Sequence, residues 1–366
     1  MCLQRICYEK IFLKKKIIAT GTIWMSNMQQ INNASVRPVS AYNTKHLQIP
    51  AIALLQSSPL PEQAIRTFSR ALLTPTNHLF VNGRYIRTGL ISGFDSRKLS
   101  FFQRIYLFLK SRFFTENKSV KISAVWAHDS WSNNYFHWFN DTLPRLFLLS
   151  KQIEDSVAVL PVELSKITFI VESLELLKIE HQWIDQKKSH RFESLSVLHT
   201  ATLQPDINPL LQKQMRDAVF SAMKIDPQER PFRKIYISRA HARYRKIINE
   251  QELLPVLKKY GYDIIYPETY SFKEQVKLFA ESNALISIHG AGHTNCMFMK
   301  QDAKVMEIRN TEWESQPLCF WGLANIFELK WEYITATRVS EVSNFNDVFI
   351  APHIFEESLR TFENIK

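Results

Sequence analysis

The stretch ALISIHGAGHTN, residues 284–295, joins a short apolar run to a glycine-containing loop. The apolar run Ala284–Ile288 is typical of a buried β-strand, and Gly290 and Gly292 follow it closely. Glycines at a strand end let the backbone approach a ligand, and a helix that begins after them offers free N–H groups to an anion. A tight turn whose glycines serve only geometry is the alternative, because a glycine turn alone is a weak motif.

Apolar runs of strand length lie on both sides of this stretch and alternate with helical patterns. The predicted strands are Ile167–Val171, Ser194–Leu198, Lys234–Ser238, Asp263–Tyr266, Ala284–Ile288 and Lys304–Ile308. Predicted helix starts at Asn249, Ser271 and Thr311 are each followed three residues later by Glu, as in a capping box. Strands separated by helices predict parallel βαβ units, whose ligands bind at the carboxyl ends of the strands.

The first half of the chain has a weaker pattern. Its predicted elements are a hairpin in 78–94 turning at Asn82-Gly83, a basic aromatic helix Leu99–Phe114, a strand Lys121–Trp126, an amphipathic helix Asn134–Ser150 and a helix Pro209–Ile225. The fold class predicted for the whole chain is therefore α/β.

The chain length and composition predict two domains. A chain of 366 residues is longer than one hydrophobic core usually grows, and 45% hydrophobic residues allow a packed interior. The predicted boundary lies near Pro205–Pro231. The predicted organisation is an irregular basic lead-in over 1–60, a first domain over 61–205, a second over 206–344, and a final helix in 345–366 that packs back on the first domain.

The charge balance favours anionic partners. A formal net charge of +11 and a pI near 9.4 attract phosphates, nucleic acid or an anionic membrane surface. Basic residues before residue 17 precede a short apolar stretch, which indicates a weak leader or a basic membrane-surface arm, and residues 1–24 are equally readable as preceding the true start at Met25.

The cysteines favour a reducing compartment. The chain has four, Cys2, Cys7, Cys296 and Cys319, with no CxxC pair, so neither a disulfide framework nor a cysteine-rich zinc site is supported. No apolar run is long enough to span a bilayer, and the expected location is the cytoplasm, with contact at the inner face of the plasma membrane as an option.

Basic residues cluster just past the strand Lys234–Ser238. Arg239 and Arg245 precede the helix predicted from Asn249, a place suited to a diphosphate. Arginine grips phosphate with a planar fork, and its charge survives any physiological pH. A solvated basic loop is the alternative reading of this charge run.

Two further positions carry candidate acid–base or binding groups. His137 and Asp141 are four residues apart, so on a helix they share a face, where a carboxylate and an imidazole form a general base or a base with its orienting partner. A structural polar pair is the alternative. Glu307, at the end of the strand Lys304–Ile308, is suited to ribose hydroxyls, although a strand-end Glu alone is weak evidence.

Several common signatures are absent from the sequence. It contains no DxD tripeptide, no GxxxxGK[ST] loop, no GxGxxG fingerprint and no HExxH or Cys/His zinc spacing. These absences argue against a bound metal, and we expect neither a metal nor another cofactor.

Four segments in order resemble glycosyltransferase family 61, often labelled capsular polysaccharide biosynthesis proteins in bacteria. The segments are His137–Arg145, Ile237–Asn249, Pro267–Gln275 and His289–Asn295, and the resemblance covers roughly 120–310. Four ordered motifs are far more specific than any one of them. His293 departs from the pattern, since the family more often has an apolar residue there, and it either packs or contacts the nucleotide.

The resemblance implies a GT-B architecture, in which two Rossmann-like domains face a cleft. It further implies inverting, metal-independent transfer of a hexosyl or pentosyl group from a nucleotide sugar to a glycan or lipid-linked glycan, in capsule, lipopolysaccharide or another surface polysaccharide. The first domain would then be the acceptor side and the second would hold the donor.

The resemblance also implies roles for individual residues. Arg239 and Arg245 would bind the donor diphosphate beside a loop of His289, Gly290, Ala291, Gly292 and Asn295, and Glu307 would meet the ribose. Asp141 or His137 would take the acceptor proton, with Asp141 preferred.

Three other functions compete with this one. A sugar- or nucleotide-binding protein without turnover would keep the same motifs, and a Rossmann-type oxidoreductase would use a similar fold, against which the missing GxGxxG counts. A nucleic-acid or anionic-surface binding protein would use the net charge of +11, but the basic residues are spread along the chain, so no nucleic-acid partner is expected.

Overall fold

The computed structural model describes residues 63–86, 100–113, 120–200, 209–310, 318–339 and 347–365. These residues form two β-sheets with helices packed against them, so the α/β class predicted from the sequence is confirmed. The lead-in 1–60, the domain boundary at Pro205 and the helix start at Thr311 fall outside the described residues.

The first sheet has seven strands in the order β3-β2-β1-β7-β4-β5-β6. The strands are β1 (Gln63–Leu73), β2 (Leu79–Val81), β3 (Arg84–Ile86), β4 (Val120–Val125), β5 (Ser156–Pro161), β6 (His181–Ile184) and β7 (His190–Thr200). Strands β7, β4, β5 and β6 run parallel, whereas β1, β2 and β3 pair antiparallel. Between β2 and β3, Asn82 and Gly83 both have positive φ, as a primed turn requires.

The second sheet has six strands in the order β13-β12-β11-β10-β8-β9. The strands are β8 (Arg233–Ile237), β9 (Asp263–Ile265), β10 (Ser282–Ile288), β11 (Lys304–Asn310), β12 (Lys330–Arg338) and β13 (Val348–Phe349). All pairs are parallel except β12 with β13. The chain leaves β8 for β9 on one side and returns to β10 on the other, so the strand order reverses between β8 and β10. Ligands bind at such a switch point in open α/β sheets.

Eight α-helices of two turns or more pack around the described sheets. They are α1 (Phe101–Phe113), α2 (Leu143–Gln152), α3 (Thr168–Leu176), α4 (Pro209–Met223), α5 (Glu250–Lys259), α6 (Phe272–Ala280), α7 (Cys319–Ile326) and α8 (Pro352–Glu363). Within the described ranges, no helix is long and apolar enough to cross a membrane.

Local polar contacts account for two of the helix starts. At α6 the Ser271 hydroxyl accepts the Glu274 N–H while the Glu274 carboxylate accepts the Ser271 N–H, which confirms the predicted capping box. Ser100 and Gln103 make the same reciprocal pair at the start of α1. The box predicted at Asn249 is wrong, because that side chain instead bonds the backbone of Ile350.

The helix predicted over Asn134–Ser150 is broken into parts. A single turn, Tyr135–His137, leads into a π-helical turn, Trp138–Thr142, before α2 begins. Pro144 lies in the first turn of α2, where its missing N–H disturbs no internal hydrogen bond. The π-helical turn contains Asp141, one of the candidate catalytic residues. Such departures from a regular α-helix are common at functional sites.

Two other predictions are wrong. The apolar run Ile167–Val171 is not a strand, because it lies at the start of helix α3. A run this short does not distinguish the period of a strand from that of a helix. The final helix does not pack back on the first domain. Its side chains Phe355, Leu359 and Phe362 are buried in the core of the second sheet, and Lys259 of α5 pairs with Glu356.

One apolar core is continuous between the two sheets. Buried residues of the first sheet and its helices, such as Val125 and Leu146, belong to the same cluster as Leu285 and Phe298 of the second half. The rings of Phe139 and Phe272 stack across this junction with centroids 4.9 Å apart. The two sheets are therefore held together by packing and not only by the connecting chain.

Candidate functional site

The switch point of the second sheet brings two sequence motifs together. In the register of β8 and β10, Ile237 pairs with Ser287, so the chain leaves both strands at the same level. Arg239 follows β8 and Gly290 follows β10, and a Cβ atom built on Gly290 would lie 2.8 Å from Nη1 of Arg239. A side chain at position 290 would therefore displace the Arg239 guanidinium, and the glycine serves this close approach and not backbone strain, because its extended backbone (φ 170) is open to any residue.

The basic loop after β8 is held in a fixed shape. Arg239 donates from Nε to the carbonyl of Arg245 over 3.2 Å and from Nη2 to the carbonyl of Tyr244 over 3.0 Å. Arg245 itself has a left-handed backbone (φ 60). Ser238 anchors the start of the loop, because its hydroxyl bonds the buried carboxylate of Glu250. The loop thus positions its guanidinium groups before any ligand arrives.

Two cations of this loop share one half-buried region. Burial lowers the pKa of Arg239, an effect that Glu268 opposes. Burial and then the charge of Arg239 lower the pKa of Arg245. Both groups stay protonated at physiological pH, so the region carries two positive charges. A doubly charged anion bound there would neutralise them.

His289 and Glu307 form a buried pair beneath this loop. In the register of β10 and β11, Ser287 pairs with Glu307, so His289 follows β10 close to Glu307. Nδ1 of His289 forms a hydrogen bond with Oε1 of Glu307. Burial lowers the pKa of His289. Burial alone would raise the pKa of Glu307, but the hydrogen bond from His289 and the charge of Arg309 hold it below its usual value. The pair is thus a neutral imidazole that donates to a carboxylate.

Glu307 is placed differently from what the sequence led us to expect. Its side chain is fully buried, and its two oxygens accept hydrogen bonds from His289, Arg309 and Trp331. In this conformation the carboxylate is occupied by these three hydrogen-bond donors, and its contact with a ribose stays a prediction. Its observed part is to orient His289 and Arg309.

Asn295 connects its own motif segment to Pro267–Gln275 and to the helical turn that precedes Asp141. It is fully buried, its Nδ2 donates to Oε1 of Gln275 over 2.9 Å, and its Oδ1 accepts the hydroxyl of Tyr135 at 2.6 Å. Gln275 in turn donates to the carbonyls of Pro267 and Tyr270. Asn295 thus fixes the glycine loop to its neighbours. In this conformation its side chain is not exposed to a bound nucleotide sugar.

The short helical stretch after β4 carries the predicted acid–base pair. Nδ1 of His137 lies 2.8 Å from Oδ2 of Asp141, one turn along the chain. The Asp141 side chain is 6% exposed and that of His137 is 22% exposed. Because Asp141 accepts from Nδ1, the other ring nitrogen of His137 can receive a proton from outside the pair. The more open ring of Trp131 lies 5.4 Å from the His137 ring, centroid to centroid.

Asp129 is a carboxyl that the sequence analysis missed. Its pKa is raised mainly by burial and also by the charge of Asp141. The hydrogen bond from the Trp131 backbone N–H and the charges of Arg145 and His137 lower the pKa. Oδ1 of Asp129 accepts that N–H at 2.8 Å. A buried carboxyl beside a second carboxylate is typical of functional sites. Its place in the loop 126–134 after β4 gave no sequence signal.

The ring of Phe320 joins the acid–base pair to the loop region. It lies at the start of α7 and contacts the rings of His289, His293 and Phe136, with centroids 5.0, 5.2 and 5.5 Å away. Phe136 directly precedes His137. Phe320 was also missed, because its partners come from distant parts of the chain.

The other loop residues are placed by packing. His293 is fully buried and donates from Nε2 to the carbonyl of Ser287, which supports the packing reading of this position. A Cβ atom on Gly292 would meet Ile237 at 3.2 Å, and Gly292 and Ala291 are half-buried at the start of the 3₁₀ turn Ala291–Phe298. Among the residues the structure describes, no group of three or more His, Cys, Asp or Glu side chains is placed to hold a metal.

The chain is similar to known glycosyltransferases. The family described as Glycosyltransferase 61 matches residues 135–306, a range that contains all four motif segments. An EGF domain-specific O-linked N-acetylglucosamine transferase of Drosophila melanogaster is 33% identical over 103 residues, which are 27% of this chain and 19% of that protein. The corresponding protein of Gallus gallus is 34% identical over 105 residues, 27% of this chain and 18% of its own length.

A plant relative matches a longer stretch. Alpha-1,3-arabinosyltransferase XAT2 of Oryza sativa subsp. japonica is 24% identical over 210 residues, which are 51% of this chain and 35% of that protein. The chain thus matches about a fifth to a third of the length of these curated relatives. The matches confirm the resemblance drawn from the motifs: over residues 135–306, the chain is similar to glycosyltransferase family 61.

Proposed function

We propose that the protein is an inverting, metal-independent glycosyltransferase that moves a sugar from a nucleotide-sugar donor to a glycan acceptor. The observation that carries the proposal is the contact between Arg239 and Gly290 at the switch point, with the second cation Arg245 beside it. A half-buried pair of guanidinium groups at this place suits a diphosphate, which accepts hydrogen bonds from both. We also propose the GT-B arrangement, with the second sheet on the donor side and the first on the acceptor side.

In this mechanism the acceptor hydroxyl attacks the anomeric carbon from the face opposite the diphosphate. The bond between that carbon and the diphosphate oxygen breaks, and its electron pair leaves with the diphosphate. Arg239 and Arg245 stabilise the charge that grows on the leaving group. By comparison with oxyanion-hole donors, loss of one such group costs about 2.7–4 kcal/mol in the transition state.

We propose that His137 is the base that removes the proton of the acceptor hydroxyl, with Asp141 as its positioning partner. The sequence favoured Asp141 as the base, but His137 is the more exposed of the two and its second ring nitrogen faces away from the carboxylate. Asp141 then fixes the tautomer and stabilises the imidazolium that forms, as carboxylates do beside catalytic imidazoles.

The acceptor and the location are proposed on the sequence and on the relatives. The sequence suggested a capsular, lipopolysaccharide or other surface glycan, while the relatives named here are eukaryotic enzymes, one of them named for EGF domains and one for arabinosyl transfer. We keep a glycan or glycan-bearing acceptor as the proposal. The cytoplasmic location expected from the sequence also stays a prediction.

The experiment is a release assay with the full chain. Nucleotide sugars with different bases and sugars are incubated with a panel of glycan acceptors, with and without EDTA, and the freed nucleoside diphosphate is measured. We expect release from one donor, stimulated by acceptor, unchanged by EDTA and lowered about 100-fold or more by Arg239→Ala. The exposed Arg243→Ala in the same loop is the matched control and should keep the wild-type rate.

Other results would favour the competing functions. Nucleotide binding without release across the panel would support a binding protein, and binding of nicotinamide dinucleotides alone would support an oxidoreductase. Loss of activity in EDTA would contradict metal independence.

A further inference from the structure

Helix α1 presents an unusual apolar surface to solvent. Five of its side chains are large, hydrophobic and exposed, and we call them the aromatic face: Phe101, Phe102, Ile105, Tyr106 and Leu109. Phe102 is 80% exposed, Phe101 70% and Tyr106 61%. Single exposed hydrophobic residues are ordinary on protein surfaces, but five on one 13-residue helix form a patch that marks an interaction site.

The geometry of the helix places these side chains on one side. At 3.6 residues per turn, positions 101, 102, 105, 106 and 109 span an arc of about 140°. The ring of Phe108, at the edge of this arc beside Phe101, contacts Phe80 of the first sheet, and the Ser111 hydroxyl on the opposite side is buried against the helix backbone. The helix is thus anchored to the hairpin β2–β3, and its aromatic face points outward.

The charged residues of this helix are all positive. Helix α1 contains three Lys and Arg residues, Arg104, Lys110 and Arg112, and no Asp or Glu. The ammonium group of Lys110 lies 5.8 Å from the ring centre of Tyr106, at the border of the aromatic face. Exposed rings bordered by cations are the pattern of helices that lie in the interface of an anionic membrane.

The same charge argues against two other occupants. A second copy of the chain would bring an equally basic helix against this one, and like charges repel. The segment 1–62 carries seven Lys and Arg residues against two Glu, so it is also basic and would be repelled. An anionic surface outside the chain fits both the apolar side chains and the cations.

We propose that helix α1 docks the protein on an anionic lipid bilayer, with the aromatic face inserted at the level of the headgroups. Phe101, Phe102 and Tyr106 supply the apolar insertion, and Lys110 contacts lipid phosphates. Docking at this edge of the first sheet is independent of donor binding at the second sheet, so it does not rest on the proposed catalysis.

Vesicle co-sedimentation of the full chain tests the proposal. Vesicles of phosphatidylcholine alone are compared with vesicles that contain one-third phosphatidylglycerol, as a stated composition. We expect binding to the anionic vesicles, with a partition coefficient that falls about tenfold or more in the double variant Phe101→Ser/Phe102→Ser. The matched control is Phe232→Ser, since Phe232 is 65% exposed and lies beside Arg233 in the second half.

A charge variant separates insertion from general attraction. Lys110→Gln should lower binding to the anionic vesicles about fivefold, whereas Lys258→Gln, at an exposed position of α5, should leave it unchanged. Because segment 1–62 is retained in every variant, its own attraction to vesicles cancels in these comparisons. Light scattering of the same proteins reports their oligomeric state.

The outcomes are distinct. A loss confined to the α1 variants, with wild-type unfolding temperatures, supports the proposal. Equal binding by wild type and Phe101→Ser/Phe102→Ser, or no binding to anionic vesicles, overturns it. A dimer that dissociates in the double variant also overturns it, because a second copy would then cover the aromatic face.

Discussion

The hydroxyl of Tyr135 donates a hydrogen bond of 2.6 Å to the side-chain oxygen of Asn295, 160 positions further along the chain. Tyr135 begins the segment that holds His137 and Asp141, and Asn295 belongs to the loop that contains Gly290. This bond therefore couples the proposed acid–base pair to the proposed donor site. Burial raises the pKa of Tyr135, so its hydroxyl stays protonated and remains a donor.

Replacing Tyr135 by Phe tests this coupling. The variant keeps the ring that packs on Phe139 but leaves the buried Oδ1 of Asn295 without its donor, so we expect a loss of about 1–3 kcal/mol in the free energy of unfolding. Urea unfolding measures the change. Tyr270→Phe, at a 38% exposed tyrosine, is the control and should shift stability by less than about 0.5 kcal/mol. Equal effects of the two variants would contradict the role assigned to this bond.

A methyl group on Gly290 should disturb the donor site without unfolding the protein. In Gly290→Ala the new Cβ would meet the Arg239 guanidinium at 2.8 Å, so that side chain must move away from its observed position. We expect weaker nucleoside diphosphate binding by calorimetry and a nearly unchanged unfolding temperature. Gly322→Ala, in α7, meets nothing within 4 Å and should bind as wild type does. Wild-type affinity in Gly290→Ala would show that the Arg239 position does not matter.

Stability should fall as the pH drops from about 6.5 to 4. Burial lowers the pKa of His128 and of His293 from 6.5 to about 4, so in this range the unfolded chain binds a proton at each ring that the folded chain does not. The stability that these neutral rings confer is present above pH 6.5 and is lost towards pH 4, with a slope of about 1.4 kcal/mol per pH unit for each ring.

Urea unfolding at a series of pH values measures this slope. His128→Gln should reduce the slope by about one histidine's share, whereas His241→Gln, at an exposed side chain, should not change it. A slope that His128→Gln leaves unaltered would mean that the ring titrates alike in both states.

Two variants distinguish His137 from Asp141 as the base. If His137 takes the proton, His137→Phe and Asp141→Asn should both lower kcat by about 10²–10⁴, with the donor KM little changed. If Asp141 takes the proton directly, as the sequence favoured, His137→Phe should retain most of the rate while Asp141→Asn loses it. Steady-state kinetics at saturating donor decide between the two.

The second half of the fold was predictable from sequence because its strands are continuous apolar runs. β8, β9, β10 and β11 all lie within one or two residues of their predicted bounds, because apolar runs of strand length alternate there with helical patterns. The first sheet was harder, because β1 pairs antiparallel with β7 across 129 positions, as between Thr67 and Ser196, and no local pattern encodes such a pairing.

The candidate site was predictable in its motifs but not in its internal contacts. Arg239, Gly290 and the pair His137–Asp141 could be named because their residue types and spacing carry a chemical meaning. Glu307 and Asn295 were assigned to a ligand, whereas both are fully buried and hold their neighbours in place. Burial is a property of the assembled fold, so a polar residue at a strand end looks the same in sequence whether it binds or supports.

Calorimetric titration of nucleoside diphosphates into the full chain, in EDTA, tests the central claim most directly. The account predicts binding of one nucleoside diphosphate by wild type and by the exposed-loop variant Arg243→Ala, and a loss of about tenfold or more in affinity for Arg239→Ala, since a charged hydrogen bond contributes about 1.5–3 kcal/mol. Equal affinity of wild type and Arg239→Ala, or no binding of any nucleoside diphosphate, would contradict it.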